Sequence, residues 1–188
     1  MTAPLEPGAA APVLTFTDIT GRHGHSDDYA GWFIVYSIAD RNSAGALMQW
    51  RERAHRTLVA RYRDLAIAHI SIADLTAVPG VLRGVVRPVL RTINRQATQR
   101  MTEALQAAAT ADARQTYVLV PDWTGDHLAA FGLAEAAEAH CWIVSGGRIA
   151  AHLRGGSRDV EPQFVATFDR LCAAQRPAMD LVPPGVGR

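Results

Sequence analysis

The sequence of 188 residues contains no lysine, because all 19 of its basic residues are arginine. Schiff-base chemistry and general-base catalysis by a lysine amine are therefore excluded. Cysteine is scarce as well, since Cys141 and Cys172 are the only two and lie far apart in the chain. This spacing matches neither a CxxC redox motif nor the paired cysteines of a zinc site. Isolated cysteines of this kind are most often reduced and buried.

The sequence also lacks any hydrophobic run long enough to cross a bilayer. The N-terminal stretch MTAPLEPGAAAPVLTF has no basic segment before its small apolar residues, and Glu6 and prolines interrupt it. It therefore does not match a secretory signal, and we expect a cytoplasmic protein without a transmembrane segment. A content of 48% hydrophobic and 20% charged residues is typical of a globular protein.

The charge is balanced overall but uneven along the chain. The formal net charge is +1, yet residues 51–100 hold ten arginines against three acidic residues. A basic block of this kind can attract an acidic protein surface or an anionic lipid surface. The balanced total gives no support to nucleic-acid binding, which we do not expect.

The first part of the chain predicts strands that alternate with helices. VLTFTDITG predicts a short strand and GRHGHSDDYAG a loop or hairpin, while the apolar runs WFIVYSI and LAIAHISIAD predict buried strands. The spacing of apolar residues predicts a helix over 43–62. It also predicts a long helical region from Pro79 to about Ala113, which Pro88 kinks or starts.

The last third of the chain predicts a strand, a short helix, a hairpin and a final helix. These elements correspond to TYVLVPD, to GDHLAAFGL, to CWIVS and RIAAHLRG around a Gly-Gly turn, and to VEPQFVATFDRLCAAQ. The whole order predicts an α/β fold with a mixed central sheet sandwiched by helices, an N-terminal hairpin and a long inserted helical region. We expect a flexible lead at 1–12, one domain at 13–176 and a disordered tail at 177–188.

Three segments, in this order, resemble the thioredoxin-like superfamily, and specifically its peroxiredoxin branch of alkyl hydroperoxide reductases and thiol-specific antioxidants. FTDITGRHGHSDDYAGWFIVYSIADR resembles the opening hairpin and first central strand of that branch. YVLVPDWTGDHLAAFGL is similar to its strand, Asp-x-x-Gly turn and short helix, and CWIVSGGRIAAHLRG is similar to its strand-turn-strand hairpin. With the intervening elements, the resemblance covers roughly residues 13–176 and implies a thioredoxin-like fold.

The redox chemistry that this resemblance would imply has no cysteine in the expected place. In redox-active members, the turn after the first central strand carries a cysteine whose thiolate is stabilised by the N-terminus of the next helix. Here that turn is IADRNSAG, which contains no sulfur. The family's cis-proline would fall within 138–140, and no proline occurs between Pro121 and Pro162. The sequence therefore predicts a thioredoxin-like domain without thiol-disulfide activity.

Asp40, Arg41, Asn42 and Ser43 form the turn that replaces the cysteine. In a structural role, Asn42 or Ser43 would cap the following helix, and Asp40 would lie near its positive end. In a functional role, the helix terminus would bind a carboxylate or phosphate that Arg41 contacts. The sequence leaves both roles open.

Cys141 with His140 is the candidate for residual thiol chemistry. Cys141 begins a strand near the position of the missing proline, so His140 could activate its thiol. The alternative is a small buried strand residue that behaves as a hydrophobe. The candidate would make the chain a single-cysteine, thiol-dependent peroxidase or reductase.

His23 and His25 are the weak candidates for a metal site. Together with Asp27 and Asp28 they form a His-x-His-x-Asp-Asp pattern, and alternate residues of an extended segment face the same side. A ligand set this local lacks partners from elsewhere in the chain, so we favour a solvated hairpin and expect no metal or other cofactor.

An arginine series in the long helical region is the candidate interaction surface. Arg83, Arg87, Arg91 and Arg95 recur every four residues beside apolar residues, which places them on a slanting stripe. They could be solvated side chains that cover apolar neighbours, or they could bind an acidic protein or anionic membrane surface. Val81, Val85 and Val89 widen the apolar sector, which also makes self-association as a homodimer an option.

Together these observations predict a redox-inactive thioredoxin-like domain that acts as a binding or interaction module. The alternative is an enzyme of the same fold that uses Cys141 as a peroxidase or reductase. The expected partner is a protein or a second copy of the chain.

Overall fold

The computed structural model describes residues 3–62, 64–107, 114–155 and 157–175. Its strands are β1 (Thr15–Thr17), β2 (His23–His25), β3 (Phe33–Ala39), β4 (Ala66–Asp74), β5 (Arg114–Asp122), β6 (His140–Ser145) and β7 (Arg148–Arg154). Its helices are α1 (Ala44–Arg61), α2 (Arg83–Ala107), α3 (Asp126–Ala130) and α4 (Ser157–Gln175).

The strands form a five-stranded mixed sheet and a separate N-terminal hairpin. The order in the large sheet is β5-β4-β3-β6-β7, in which β3, β4 and β5 are parallel and β6 and β7 run antiparallel to their neighbours. β1 and β2 pair as the hairpin. The predicted mixed sheet, the N-terminal hairpin and the long helix inserted between two parallel strands are confirmed.

Every residue of the central strand β3 is buried, so both faces of the sheet must be covered. On one face, Val35 belongs to a core that includes Trp50 of α1 and Phe164 of α4. Helix α2 covers the same face at the edge of the sheet, where it packs on Tyr117 and Leu119 of the edge strand β5. The opposite face is covered by α3 and by the N-terminal segment. The three long helices therefore lie on one face of the sheet.

The three parallel strands all end in an aspartate that organises the following turn. β3 and β4 finish with the same sequence, Ser-Ile-Ala, in register with each other, and Asp40 and Asp74 follow it. Asp74 is paired with Asp122 at the end of β5. Their carboxylates accept backbone N–H groups: Ser43 on Asp40 at 2.8 Å, Ala136 on Asp74 at 3.1 Å, and Gly125 on Asp122 at 2.8 Å. These bonds fix the carboxyl edge of the sheet.

Helix α2 differs in detail from its sequence pattern. Pro88 lies inside the helix rather than at the start of its main segment. Val89 continues the apolar spacing of the helix but is 57% exposed, and Leu90 is buried instead. The buried side consists of Leu90 with partly buried neighbours, namely Val86, Ile93, Ala97 and Met101. The helix is described to Ala107, and the predicted continuation to Ala113 lies outside the described residues.

Residues 3–12, which belong to the predicted flexible lead at 1–12, pack along the sheet edge. The Gly8 N–H donates to the Ile149 carbonyl at 2.8 Å, and the Ile149 N–H donates to the Ala9 carbonyl at 2.9 Å. The Trp142 indole Nε1 donates to the Leu5 carbonyl at 2.9 Å. The segment is held because it satisfies backbone groups of the edge strand β7 that would otherwise lack partners. The predicted tail at 177–188 lies outside the described residues.

Gly132 tests this packing of the N-terminal segment. Its φ is +76°, and a Cβ there would meet the Ala3 carbonyl oxygen at 2.2 Å. We expect Gly132→Ala to lower the free energy of unfolding by about 1–3 kcal/mol and to speed proteolysis near the N-terminus. Both effects would be measured by urea denaturation and limited proteolysis.

Gly21→Ala is the matched control for Gly132→Ala. Gly21 has a φ of +96°, but nothing lies within 4 Å of an added Cβ. This variant carries the backbone strain without the close contact. Equal losses of stability in the two variants, with equal proteolysis, would show that the N-terminal segment does not pack on Gly132.

Candidate functional site

The turn between β3 and α1 is built around Asp40. Its carboxylate accepts the N–H of Asn42 at 3.1 Å and the N–H of Ser43 at 2.8 Å, and it also accepts the Ser43 hydroxyl. Ser43 occupies the N-cap position, but its side chain makes no capping bond to the helix. Ser43 therefore has the predicted N-cap position, but the predicted capping bond from its side chain is absent, and Asn42 lies one residue before the cap. The carboxylate of Asp40 instead accepts the amides of Asn42 and Ser43, two and three residues later, at the entrance of the helix.

Asp40 also sets the charge at this end of α1. Partial burial favours the protonated acid, but hydrogen bonds from Ser43 and Asn42 outweigh it and lower the pKa of Asp40. Its negative charge lies at the positive end of the helix, where an anion would otherwise be stabilised. Arg41 is exposed beside it. Anion binding by Arg41 at this turn stays a prediction.

Cys141 and His140 cannot form a catalytic pair, which corrects the prediction that His140 activates the thiol. Adjacent residues of a strand point to opposite faces of the sheet. Cys141 lies in the core under α1 and α4. The His140 ring stacks on Trp142 and has its Nδ1 3.1 Å from Nε2 of His152, on the other face.

The environment of Cys141 makes its thiol a poor nucleophile. The residue is 1% exposed. Burial raises the pKa of Cys141 to about 12, although the Arg51 charge and Ser37 act in the opposite direction. The thiolate is the reactive form, so very little of it exists near neutral pH.

His23 and His25 make contacts with neighbouring residues of the N-terminal hairpin and the turn after it. The His25 Nδ1 accepts the Asp27 N–H at 3.2 Å, and the Asp28 carboxylate accepts the His25 N–H at 2.8 Å. The His23 Nδ1 lies 3.0 Å from the Thr17 hydroxyl. Within the described ranges, no group of three or more His, Cys, Asp or Glu residues is arranged to hold a metal ion.

The arginine series of α2 does not form a uniform solvent-facing stripe. Arg83 and Arg87 lie over the Trp123 ring, 5.2 Å and 5.8 Å from its centre, and Arg91 Nε donates to the Ile19 carbonyl at 3.2 Å. Only Arg95 of the series has no such contact among the residues described. The first three arginines therefore tie α2 to the hairpin and to the end of β5. A role of Arg83, Arg87, Arg91 and Arg95 in binding an anionic surface stays a prediction.

Three exposed valines lie at the start of α2, Val81 directly before the helix and Val85 and Val89 on it. Val81 is 88%, Val85 69% and Val89 57% exposed. Each valine lies two residues from an arginine of the series, which is about half a turn of a helix. The valines therefore face away from the contact with Trp123. Self-association through them stays a prediction.

A pocket that contains several buried polar side chains lies between α1, α2 and the sheet, and sequence reasoning missed it. It has a volume of about 40 Å³. Its polar floor is formed by Arg51 and His55 of α1, His69 of β4 and Tyr117 of β5. The rest of the lining consists of Met48, Glu52, Arg56, Ala97, Arg100, Met101 and Ala104.

Arg51 brings a buried positive charge into this pocket. It is 6% exposed, its Nη1 donates to the Ser71 hydroxyl at 3.3 Å, and its guanidinium lies 4.6 Å from the centre of the Tyr117 ring. Among the described residues, no carboxylate forms an ion pair with it. Glu52 of the pocket wall is paired instead with Arg56 and, at 3.0 Å, with Arg100.

His55 and His69 face each other in the pocket, with ring centres 5.7 Å apart. They are 4% and 1% exposed, and none of their four ring nitrogens has a hydrogen-bond partner among the described residues. Burial lowers the pKa of His55 to about 4 and that of His69 well below its usual value. The Met101 backbone and the Gln115 side chain oppose these shifts, but neither has acceptable hydrogen-bond geometry to a ring nitrogen. Both imidazoles are therefore neutral near pH 7.

A sequence signal for this pocket exists in β4. In the run AIAHISIAD, His69 and Ser71 are polar residues on the same face of an otherwise apolar strand. On α1, Arg51 and His55 are four positions apart and lie next to the apolar series of Trp50 and Ala54. Buried strand and helix residues of this polarity indicate a polar pocket where the two elements meet.

Comparison with solved structures places this architecture among known folds. A putative protein disulfide isomerase from Bacteroides thetaiotaomicron matches with a TM-score of 0.54 and 14% identity over 90% of this chain and 93% of its own. A putative thiol:disulfide interchange protein DsbE from Chlorobium tepidum matches with a TM-score of 0.53 and 14% identity over 90% and 98%. The peroxidoxin BcpB from Mycobacterium tuberculosis matches with a TM-score of 0.53 and 12% identity over 89% and 98%. The fold is thioredoxin-like.

The comparisons with sequences gave no further assignment. No protein-family model matches the chain, and no curated protein matches it. In the part of the chain that the structure describes, no helix is both long and apolar enough to span a membrane.

The hydrogen bonds to Asp40 in this turn predict a loss of stability on substitution. Asp40→Ala removes the acceptor for two backbone amides, so we expect the free energy of unfolding to fall by about 0.5–2 kcal/mol. Asn42→Ala is the control, because its backbone N–H still donates to Asp40, and it should cost less. Urea denaturation at pH 7 measures both. A larger loss in Asn42→Ala than in Asp40→Ala would contradict this account of the turn.

The buried histidines predict a loss of stability on acidification. His55 has a folded-state pKa of about 4, below the ordinary 6.5, so the unfolded chain binds its proton more readily. Its contribution is complete above pH 6.5 and is lost as the pH falls from 6.5 towards 4, at roughly 1.4 kcal/mol per pH unit. Urea unfolding at pH 7 and pH 5 should show this loss, and His55→Gln should reduce it. An unchanged pH dependence in His55→Gln would show that His55 does not titrate in this way.

Proposed function

We propose that this chain is a redox-inactive thioredoxin-like domain that binds a ligand instead of exchanging disulfides. The proposal rests on where the cysteine residues lie in the fold. The turn after the central strand holds Asp40 where the resemblance would place a reactive cysteine. The sequence has no CxxC motif, and Cys141 is buried in the core.

The names of the similar solved proteins indicate which chemistry this chain would lack. Two of them are named for disulfide chemistry and one as a peroxidoxin. Such chemistry needs an accessible thiolate that can attack a disulfide or a peroxide. Asp40 can accept hydrogen bonds but cannot carry out this attack, and Cys141 has its pKa raised to about 12.

A binding role is supported by the pocket under α1 and α2. The ring nitrogens of His55 and His69 are buried without a hydrogen-bond partner among the described residues, and the buried Arg51 has no carboxylate partner there. A fold that needed them only for packing would be more stable with apolar side chains of similar size. We therefore take the Arg51-His55-His69 pocket as the binding site of the module.

Thiol kinetics test the redox part of the proposal. In Cys172→Ser, Cys141 is the only thiol, and we expect slow reaction with a disulfide reagent in the native state and fast reaction in denaturant. In Cys141→Ser, the remaining thiol is on the half-buried Cys172 of α4, which provides the matched control. Neither variant nor the wild type should reduce insulin disulfides or consume peroxide faster than dithiothreitol alone.

The opposite result would favour a single-cysteine peroxidase or reductase. It would consist of fast native reaction of Cys141 in Cys172→Ser, together with turnover that disappears in Cys141→Ser. Turnover that disappears only in Cys172→Ser would place the redox chemistry on α4 and would also overturn the proposal.

A further inference from the structure

We propose that the Arg51-His55-His69 pocket binds one small oxyanion, a carboxylate or a phosphate group, through the Arg51 guanidinium and the imidazole N–H groups. This inference rests on the proposed binding function and names the class of ligand. It starts from two independent features, a buried cation without a carboxylate partner and two buried imidazoles without hydrogen-bond partners.

The charge of the pocket selects an anion. A guanidinium keeps its positive charge in proteins, and a buried charge without a counter-ion costs several kcal/mol. Among the described residues, the close partners of Arg51 are a hydroxyl and an aromatic ring. The acid of the pocket wall, Glu52, is held by Arg56 and Arg100 and is not paired with Arg51. An oxyanion would supply the missing negative charge.

The imidazoles supply the donors that an oxyanion needs. A neutral imidazole has one N–H donor and one acceptor nitrogen. Buried polar groups are nearly always hydrogen-bonded to protein, water or ligand, so the ring nitrogens of His55 and His69 require partners. Oxygens of a bound anion can accept from both rings and from Arg51.

The size of the pocket suits a small anion, and its charge disfavours a metal ion. A volume of 40 Å³ is room for roughly two or three waters, and the oxygens of one small anion can take their places. The two imidazoles lie near the thioethers of Met48 and Met101, which are soft metal ligands. However, a cation there would be repelled by Arg51. The anion is therefore the better match.

Calorimetric titration with inorganic phosphate, sulfate and acetate tests the inference on the full chain. We expect saturable binding of at least one of these anions in the millimolar range or tighter, and none with chloride at equal ionic strength. Phosphate and acetate distinguish a tetrahedral from a planar oxyanion. The absence of saturable binding for all three would overturn the inference, and water would then fill the pocket.

Variants locate the binding to this pocket. Arg51→Gln should weaken binding roughly tenfold or more, because it removes a charge-assisted hydrogen bond. Arg95→Gln is the matched control, since Arg95 is an exposed arginine of α2 outside the pocket, and it should bind as the wild type does. Equal binding by wild type and Arg51→Gln would overturn the inference.

A second measurement covers the case in which Arg51→Gln does not fold. The ring-proton resonances of His55 and His69, assigned with His55→Gln, should shift in wild type as the anion saturates. Saturable binding that leaves both rings unshifted would place the anion elsewhere and overturn the inference. These results are separate from the thiol assays, so a redox-inactive chain that binds no anion would leave the proposed redox inactivity intact.

Discussion

The burial of β3 on both faces is the constraint on which the rest of the structure depends. Because every residue from Phe33 to Ala39 is buried, the chain must supply a covering layer on each side of the sheet. The long helices provide one layer, and α3 with the N-terminal segment provides the other. The same constraint explains why residues 3–12 are held in place: without them, part of the core around Trp142 would lose its cover.

The alternation of side chains along strands also decides which residues can share a site. It separates Cys141 from His140, which are neighbours in sequence, and it brings His69 and Ser71 under α1. A sequence pattern that pairs adjacent residues of a strand is therefore a poor guide to catalysis. Pairs two positions apart, and pairs four apart on a helix, are the ones that can meet.

The sequence predicted most elements because their signals are local. The apolar run of β3, the Gly146-Gly147 turn and the spacing of apolar residues on α1 each report their own conformation. The fold class followed from their order. The position of the N-terminal segment could not be predicted, since its hydrogen bonds reach β7 from the far end of the chain. The pocket was missed for the same reason: Arg51, His69 and Tyr117 come from three separate elements, and only the packing of α1 and α2 on the sheet joins them.

Asp40 connects the fold to the proposed loss of redox chemistry. The N-terminus of a helix stabilises a negative charge through its free amides and its dipole, whether the charge belongs to a thiolate or to a carboxylate. Asp40 already provides that charge near neutral pH, because the hydrogen bonds from Ser43 and Asn42 keep its pKa low. A carboxylate therefore fills the electrostatic role of a thiolate at this turn without its ability to exchange disulfides. At this turn the chain supplies its own anion beside the helix. Arg51, in contrast, is a buried cation without a carboxylate partner among the described residues, and the proposed anion site is therefore placed there.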